Sequence, residues 1–327
     1  MFNKIIKSLL FFMLVTIAGI TTYATDSGWG QEFWKQTKKG KYYFAQKSFD
    51  RKYAKKHAYV ENGKRSVKII IDNDKKVFDL VELPASFLKW NIGHRIDNLK
   101  RIKRGARPED MFSSHDPAVA TYGFERPDSQ YSLNNAIKGI GFLPKKSKIK
   151  EIINMLEKSK HEDFKKKLDI LINLYEKADK CFDYTRLSSL ELYSNHQKGT
   201  QTFLNQMVNP ASVIVFSSES PTFKLKTMAL LIAPENPHLS DYEKNIVTYI
   251  NLIHDFFHDP TKQKTEIAVV YFVTEVYDST PDDPIGGEGR RIVPPHIGSF
   301  DVRLGSGRSA VDVVANSPFA FCLGIDY

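Results

Sequence analysis

The stretch from Thr265 to Asp278 reads Thr-Glu-Ile-Ala-Val-Val-Tyr-Phe-Val-Thr-Glu-Val-Tyr-Asp and is rich in β-branched and aromatic residues. Such residues favour the pleated surface of a sheet, so this stretch predicts a long strand. A shorter apolar run, Ser212–Phe216, predicts another strand before it. Two more strands are predicted after it, over residues 300–304 and 310–315. We therefore expect most of a sheet in the second half of the chain.

Helical patterns surround these strands. In residues 145–180 apolar side chains recur at helical spacing, with lysines and glutamates on the other face, which predicts two amphipathic helices broken near residues 158–160. Ser240 is expected to begin a further helix that continues to Phe257, because Glu243 stands where a capping box requires it. Separate helical and strand segments in one chain indicate an α+β fold.

The first part of the chain has a weaker pattern. Ser66–Asp72 and Lys76–Leu83 predict two strands joined by a polar hairpin turn. The surrounding residues 25–95 are rich in lysine and aromatic side chains and show no clear periodicity. We interpret them as an N-terminal region that either stands alone or packs on the remainder of the chain.

Residues 1–24 have the organisation of a secretory signal peptide. Lys4 and Lys7 form a basic start, Ser8–Ile20 is apolar, and Thr22–Ala24 supplies small residues for cleavage. The apolar run is too short for a comfortable membrane span, although an uncleaved anchor is the alternative. We expect a secreted or periplasmic chain with no stable membrane anchor after cleavage.

The net charge of +9 favours anionic partners such as phosphate-bearing ligands, unless the lysines simply form a solvated surface. Because these lysines lack interleaved aromatic residues, we expect no nucleic-acid partner. The chain has two cysteines, Cys181 and Cys322. An even number in an exported protein predicts one disulfide, with two free thiols as the alternative.

Three segments carry candidate chemistry. The first is Arg104-Gly-Ala-Arg-Pro-Glu-Asp-Met-Phe112, and the second is the predicted strand Val213–Ser220, which ends in clustered serines. The third is a predicted glycine-rich loop over residues 281–295, in which Glu288 is followed by two arginines and a Pro-Pro. A lone carboxylate on a flexible cationic turn suits electrostatic chemistry better than packing. Taken singly, each segment also has an ordinary interpretation as a turn, a strand end or a solvated loop.

In this order the three segments resemble the secreted bacterial ADP-ribosyltransferase toxins of the pertussis and cholera type. Those proteins open on an arginine followed by Arg-Pro, carry a Phe-x-Ser-Thr-Ser strand, and place a catalytic glutamate shortly before Ile-Pro-Pro. Here Phe216–Ser220 matches the middle motif, and Ile292–Pro295 matches the last with one inserted residue. The cysteine pair also looks like the disulfide that some of these toxins carry.

The resemblance implies a two-sheet core over residues 96–327, with residues 145–200 as a helical insertion. It implies NAD as a substrate and no metal. The chain would then be a toxin or effector in virulence that passes ADP-ribose to an unknown protein target or to water, with or without a separate delivery subunit.

The resemblance also implies residue roles. Glu288 would stabilise the cationic ribose as the nicotinamide bond breaks. Arg104 would hold the dinucleotide, with Arg101 as its rival because the motif is one residue short. Ser218 would order the site. Two further residues expected to contact NAD are Ser220 and Arg290.

Two other functions stay open from the sequence. A non-catalytic secreted binding protein would use its aromatic, lysine-rich first third to contact a host surface or an envelope component. Alternatively, His254 and His258 lie four residues apart in the predicted helix, as two ligands of a metal-dependent hydrolase would. A third ligand for that metal would be His238 or Asp259.

Overall fold

The computed structural model describes residues 28–71, 73–106, 114–217, 221–257, 265–280 and 289–294. The predictions for the signal peptide, for the strands over residues 300–304 and 310–315, and for Cys322 lie outside these residues.

The described residues form twelve strands and seven α-helices. The strands are β1 (Trp34–Gln36), β2 (Tyr42–Phe44), β3 (Ser66–Ile71), β4 (Asp74–Asp79), β5 (Ala118–Tyr122), β6 (Leu133–Ile137), β7 (Gly141–Pro144), β8 (Phe182–Glu191), β9 (Ala211–Phe216), β10 (Phe223–Ile232), β11 (Ile267–Asp278) and β12 (Arg290–Val293). The helices are α1 (Arg51–His57), α2 (Ala85–Lys103), α3 (Ile149–Ser159), α4 (Phe164–Glu176), α5 (Ala178–Cys181), α6 (Gln201–Val208) and α7 (Asp241–Phe257).

Eight of these strands form one antiparallel sheet in the order β6-β5-β9-β10-β11-β8-β7, with β12 added beside β11. The α+β class is therefore confirmed, as are the long strand β11 and the shorter β9. The predicted hairpin is also present as β3 and β4, a two-stranded sheet of its own. The described strands thus form one large sheet and two hairpins, where the resemblance implied two sheets.

The large sheet is strongly curled. Its edge strands β6 and β7 are joined by residues 138–140 alone, which can span only about 14 Å. This short connection contacts β8, because Ser189 Oγ donates to Gly139 O at 2.7 Å and Lys138 Nζ lies 2.8 Å from Glu191 Oε2. The curl brings the two edges of the sheet towards each other.

Both faces of the sheet are covered. Neighbouring residues of a strand point to opposite faces, and on β11 Tyr271 accepts a hydrogen bond from Gln206 of α6 while Phe272 stacks on Phe49. Trp34 packs on Phe44 with ring centroids 5.0 Å apart; Phe44 is buried in the core and Trp34 is partly buried against it. These two aromatic residues of the first third therefore pack inward on the core of the main sheet, whereas Tyr42 is 40% exposed.

The expectation that residues 145–200 form a helical insertion is wrong in part. Helices α3 and α4 are present as predicted, but β8 follows them and lies inside the main sheet between β11 and β7. Nine of the ten residues of β8 are buried. The sequence pattern missed this strand because its buried positions include polar residues, namely Asp183, Thr185, Arg186, Ser188, Ser189 and Glu191.

The capping box predicted at the start of α7 is confirmed. Ser240 N donates to Glu243 Oε2 at 2.8 Å, and Glu243 N lies 3.4 Å from Ser240 Oγ. The Glu243 side chain is fully buried and also pairs with Arg51 and Lys55 of α1. Burial alone would raise the pKa of the Glu243 carboxyl, but the Ser240 hydrogen bond and the Arg51 charge outweigh it and the pKa is lowered. This carboxylate therefore joins α1 to α7.

We predict that Glu243→Gln destabilises the protein by about 2 kcal/mol at pH 7, because two cations lose their buried partner while the cap is kept. A lowered folded-state pKa stabilises the fold above the ordinary glutamate pKa, and this contribution is lost as the pH falls through the folded-state value. Urea unfolding at a series of pH values would show the difference shrinking in acid. Glu235→Gln removes the exposed pair with Lys41 and is the matched control, with a cost below about 1 kcal/mol. Equal effects of the two variants would contradict the prediction.

Candidate functional site at one end of the sheet

Four neighbouring strands have one of their ends at the same end of the large sheet: β9 and β11 end there, and β10 and β12 begin there. Phe216 at the end of β9 pairs with Phe223 of β10, which pairs with Asp278 of β11, which pairs with Arg290 of β12. The connection from β9 to β10 and the connection from β11 to β12 therefore leave the sheet side by side. The predicted loop over residues 281–295 is shorter than expected, because its end pairs with β11 as strand β12.

The described ends of the two connections touch. Thr222 N donates to Thr280 Oγ1 at 3.1 Å, and Ser279 N donates to Thr222 O at 2.9 Å. Ser218, Ser220 and Glu288 lie outside the described residues. The described residues that flank these positions nevertheless lie next to each other, although Ser218 and Glu288 are 70 residues apart in the sequence.

Two lysines and a tyrosine lie on the strands at this end. Lys224 Nζ and Lys226 Nζ are each 5.1 Å from the centroid of the Tyr277 ring. Lys226 Nζ lies 3.3 Å from Glu275 Oε2. Within the described residues Lys224 has no such carboxylate. Its ammonium group lies 3.6 Å from where a Cβ on Gly289 would stand, and Gly289 directly follows Glu288.

The two lysines differ in their electrostatics. Burial lowers the pKa of the Lys224 ammonium, and the like charge of Lys226 lowers it further. Burial also acts against the charge of Lys226, but Glu275 and Tyr277 outweigh it and raise its pKa. Lys224 is thus a partly buried cation whose charge is not balanced by a described neighbour, and a bound anion would balance it.

Arg101 and Arg104 do not lie at this end of the sheet. The first turn of α2 packs there, with the Phe87 ring 5.1 Å from that of Phe216. Arg101 follows Phe87 by fourteen residues on the same helix, a distance of about 21 Å along its axis. Arg104 is the C-cap, and Lys103 beside it pairs with Asp169 of α4 at 2.5 Å. The length of α2, which the sequence motifs did not reveal, carries both arginines away from the serine and glutamate segments.

Arg290 is the predicted cofactor-binding arginine that the structure does place here. It is exposed on β12 opposite Asp278. The sequence interpretation missed Lys224, Lys226 and Tyr277. The signal of the two lysines was present as the alternating run Phe223-Lys-Leu-Lys-Thr227, which is typical of a strand with one polar face.

The metal alternative gains no support from the described residues. His254 Nδ1 lies 3.1 Å from Asp255 Oδ1, whereas His258 and Asp259 fall outside the described ranges. Within those ranges no three histidine, cysteine, aspartate or glutamate side chains group as a metal site would. The backbone N–H of His238 donates to Asn236 Oδ1 in a turn.

Cys181 ends α5 and is half-buried, and burial raises the pKa of its thiol. Its pairing with Cys322 stays a prediction. In the described part of the chain, no helix combines the length and apolar character needed to span a bilayer.

No protein-family model and no curated protein matches this sequence.

We predict that removing the charges beside Lys224, in the double variant Lys226→Met/Glu275→Gln, raises the pKa of the Lys224 ammonium. Loss of the like charge favours its protonated form, while burial keeps the pKa below the ordinary lysine value. Titration of isotope-labelled lysine side chains by NMR would measure it. Lys244→Met, an exposed change on α7, is the control. An unchanged Lys224 pKa in the double variant would contradict this account of the site.

Proposed function

We propose that this chain is an exported ADP-ribosyltransferase-like enzyme that binds NAD at the end of the sheet formed by β9, β10, β11 and β12. The observation that carries the proposal is the continuous register from Phe216 through Phe223 and Asp278 to Arg290. It anchors together the two segments that resemble the serine and glutamate motifs of the ADP-ribosyltransferase toxins.

The charge at this end of the sheet also supports the proposal. NAD carries a diphosphate, and Lys224 and Arg290 are cations available to an anion there. Lys224 is the more buried of the two, so its interaction with a phosphate would be screened less by water. These two residues take the role that the sequence resemblance gave to Arg104 or Arg101.

The reaction breaks the bond between C1′ of the ribose and the nicotinamide nitrogen. The electron pair of that bond leaves with nicotinamide, which becomes neutral, and positive charge develops on the ribose. In our proposal the Glu288 carboxylate stabilises that charge and Ser218 orders the site by hydrogen bonding. A protein side chain or water then adds to C1′ and gives up a proton.

The packing of the first third favours this enzyme over a non-catalytic binding protein. That alternative requires aromatic residues presented to a partner. Trp34 and Phe44 instead pack against Phe203 of α6, with ring centroids 5.9 and 5.3 Å from it. The proposal also includes export of the chain and an acceptor that is a protein or water, with or without a separate delivery subunit.

The proposal predicts that the mature chain releases nicotinamide from NAD and that Glu288→Gln reduces the rate at least 100-fold, because an amide cannot balance the developing cation. Nicotinamide would be quantified chromatographically, with far-ultraviolet circular dichroism as the check of folding. Glu235→Gln is the matched control and should keep the rate. Equal rates in Glu288→Gln and the parent chain would refute the role of Glu288.

A second prediction separates the arginines. Arg290→Ala should weaken NAD binding roughly tenfold, a typical effect of losing one charge-assisted phosphate contact. Arg104→Ala should leave binding within about twofold, because Arg104 lies at the far end of α2. Isothermal titration of NAD into the Glu288→Gln background would measure both without turnover. If Arg104→Ala weakened NAD binding more than Arg290→Ala, the dinucleotide would instead bind near the C-terminus of α2.

A further inference from the structure

A buried cationic cluster lies within β8, remote from the candidate NAD site. The register of β8 with β7 shifts between the pairs Phe142–Leu187 and Leu143–Asp183, which leaves residues 184–186 of β8 without partners on β7. This wide irregularity allows Asp183 and Arg186 to form an ion pair in the interior. Arg186 is fully buried.

The acceptor capacity of Asp183 is used up. Its Oδ1 accepts from Arg65 Nη1 at 2.8 Å, from Thr185 N at 3.0 Å and from Thr185 Oγ1 at 2.7 Å. Its Oδ2 accepts from Arg186 Nη2 and, at 3.0 Å, from Arg65 Nη1. Burial alone would raise the pKa of this carboxyl, but Arg186, Thr185 and Arg65 outweigh it and the pKa is lowered. Asp183 therefore stays ionised and has no lone pair left for the rest of the Arg186 guanidinium.

Several buried donors remain around Arg186. Its Nε and Nη1 make no hydrogen bond of good geometry to any described residue, and neither do the hydroxyls of Tyr59 and Tyr242. The Tyr242 hydroxyl lies close enough to Arg186 to accept a weak hydrogen bond from its guanidinium, which leaves the Tyr242 O–H itself without an acceptor. The guanidinium carbon lies 5.3 Å from the Tyr59 ring centroid and 5.7 Å from that of Tyr242. Buried polar groups in folded proteins are almost always hydrogen-bonded, so four such atoms in one cluster point to a bound species.

The charges around the cluster favour an anion. Arg65 and Arg186 are two cations against the single buried carboxylate of Asp183. The other partner of Arg65, Glu82, has a side chain 66% exposed and is screened by water. Of the other carboxylates, buried Glu243 is already paired with two cations of α1. Glu61, whose charge also acts on Tyr242, is exposed and accepts from Ser147 N. Lys146 adds positive charge 5.7 Å from the Tyr242 ring.

We propose that this cluster binds a small monovalent anion of the size of chloride, held by Arg186 Nε and Nη1 and by the hydroxyls of Tyr59 and Tyr242. Each of these groups donates a hydrogen bond, which is what an anion requires. The anion joins β8 to α7 and to the segment just after α1 that contains Tyr59, so it stabilises the packing of these elements on the sheet.

Crystals of the full chain grown in bromide test the proposal directly. The expected result is an anomalous difference peak at bromide wavelength within about 3.5 Å of Arg186 Nη1, the reach of a hydrogen bond to an anion. A density peak there without anomalous signal would be a water molecule and would overturn the proposal. Featureless density would overturn it as well.

A solution experiment tests the same site by linkage. The midpoint of thermal unfolding should rise with chloride concentration relative to gluconate at equal ionic strength, because an anion that binds only the folded state stabilises it. The double variant Tyr59→Phe/Tyr242→Phe keeps both rings and should lose this dependence. It is preferred to an Arg186 variant, which would leave Asp183 unpaired and endanger folding.

The control is Tyr249→Phe. Tyr249 is a buried tyrosine of α7 whose hydroxyl donates to Phe142 O at 3.2 Å, so its loss should lower stability without changing the chloride dependence. A chloride dependence of equal size in the double variant, or none in the parent chain, would overturn the proposal.

Discussion

The rest of the structure depends on the pairing of β11. This strand pairs with β10 along its length, with β8 over its first half and with β12 at its end, and both of its faces are covered. A buried strand can satisfy its backbone groups only through neighbours on both sides, so the positions of β8, β10 and β12 follow from it. Because β10 begins and β12 begins opposite the end of β11, both connections that carry the proposed catalytic segments have to emerge together.

The same burial explains the polar residues of the interior. A strand covered on both faces has no solvent-exposed face for charged side chains, so its charged side chains need hydrogen-bond or ion-pair partners within the protein. Glu191 at one end of β8 meets Lys138, Ser194 and Thr200. Asp183 at the other end meets Arg65 and Thr185. Such pairs contribute little net stability, but a shifted register would leave each of them unpaired, which is costly. They therefore help to fix β8 in one position.

The sequence predicted the elements whose signals are local. The β-branched run of β11, the helical periodicity of α3 and α4, and the capping box at Ser240 each depend on neighbouring residues, and all are present. β8 was missed because its polar residues do not look like those of a buried strand. They can be buried only because they meet partners distant in the sequence, such as Arg65 and Phe272, which the fold brings to them. Sequence order alone also could not tell that Arg104 stands at the end of a 19-residue helix, far from the serine segment.

The two proposed sites lie at different positions along β11. Arg186 pairs in register with Phe272, and the candidate NAD site lies at Asp278, six residues further along β11, or about 20 Å at the rise of a strand. An anion at Arg186 is too far away to touch a dinucleotide at that end, and a Debye length of about 8 Å limits any effect through solvent. In our proposal the anion would stabilise the packing of α7 and of Tyr59 against β8. The proposed chloride dependence of stability and the proposed cleavage of NAD should therefore be separable: a folded variant that loses one is expected to keep the other.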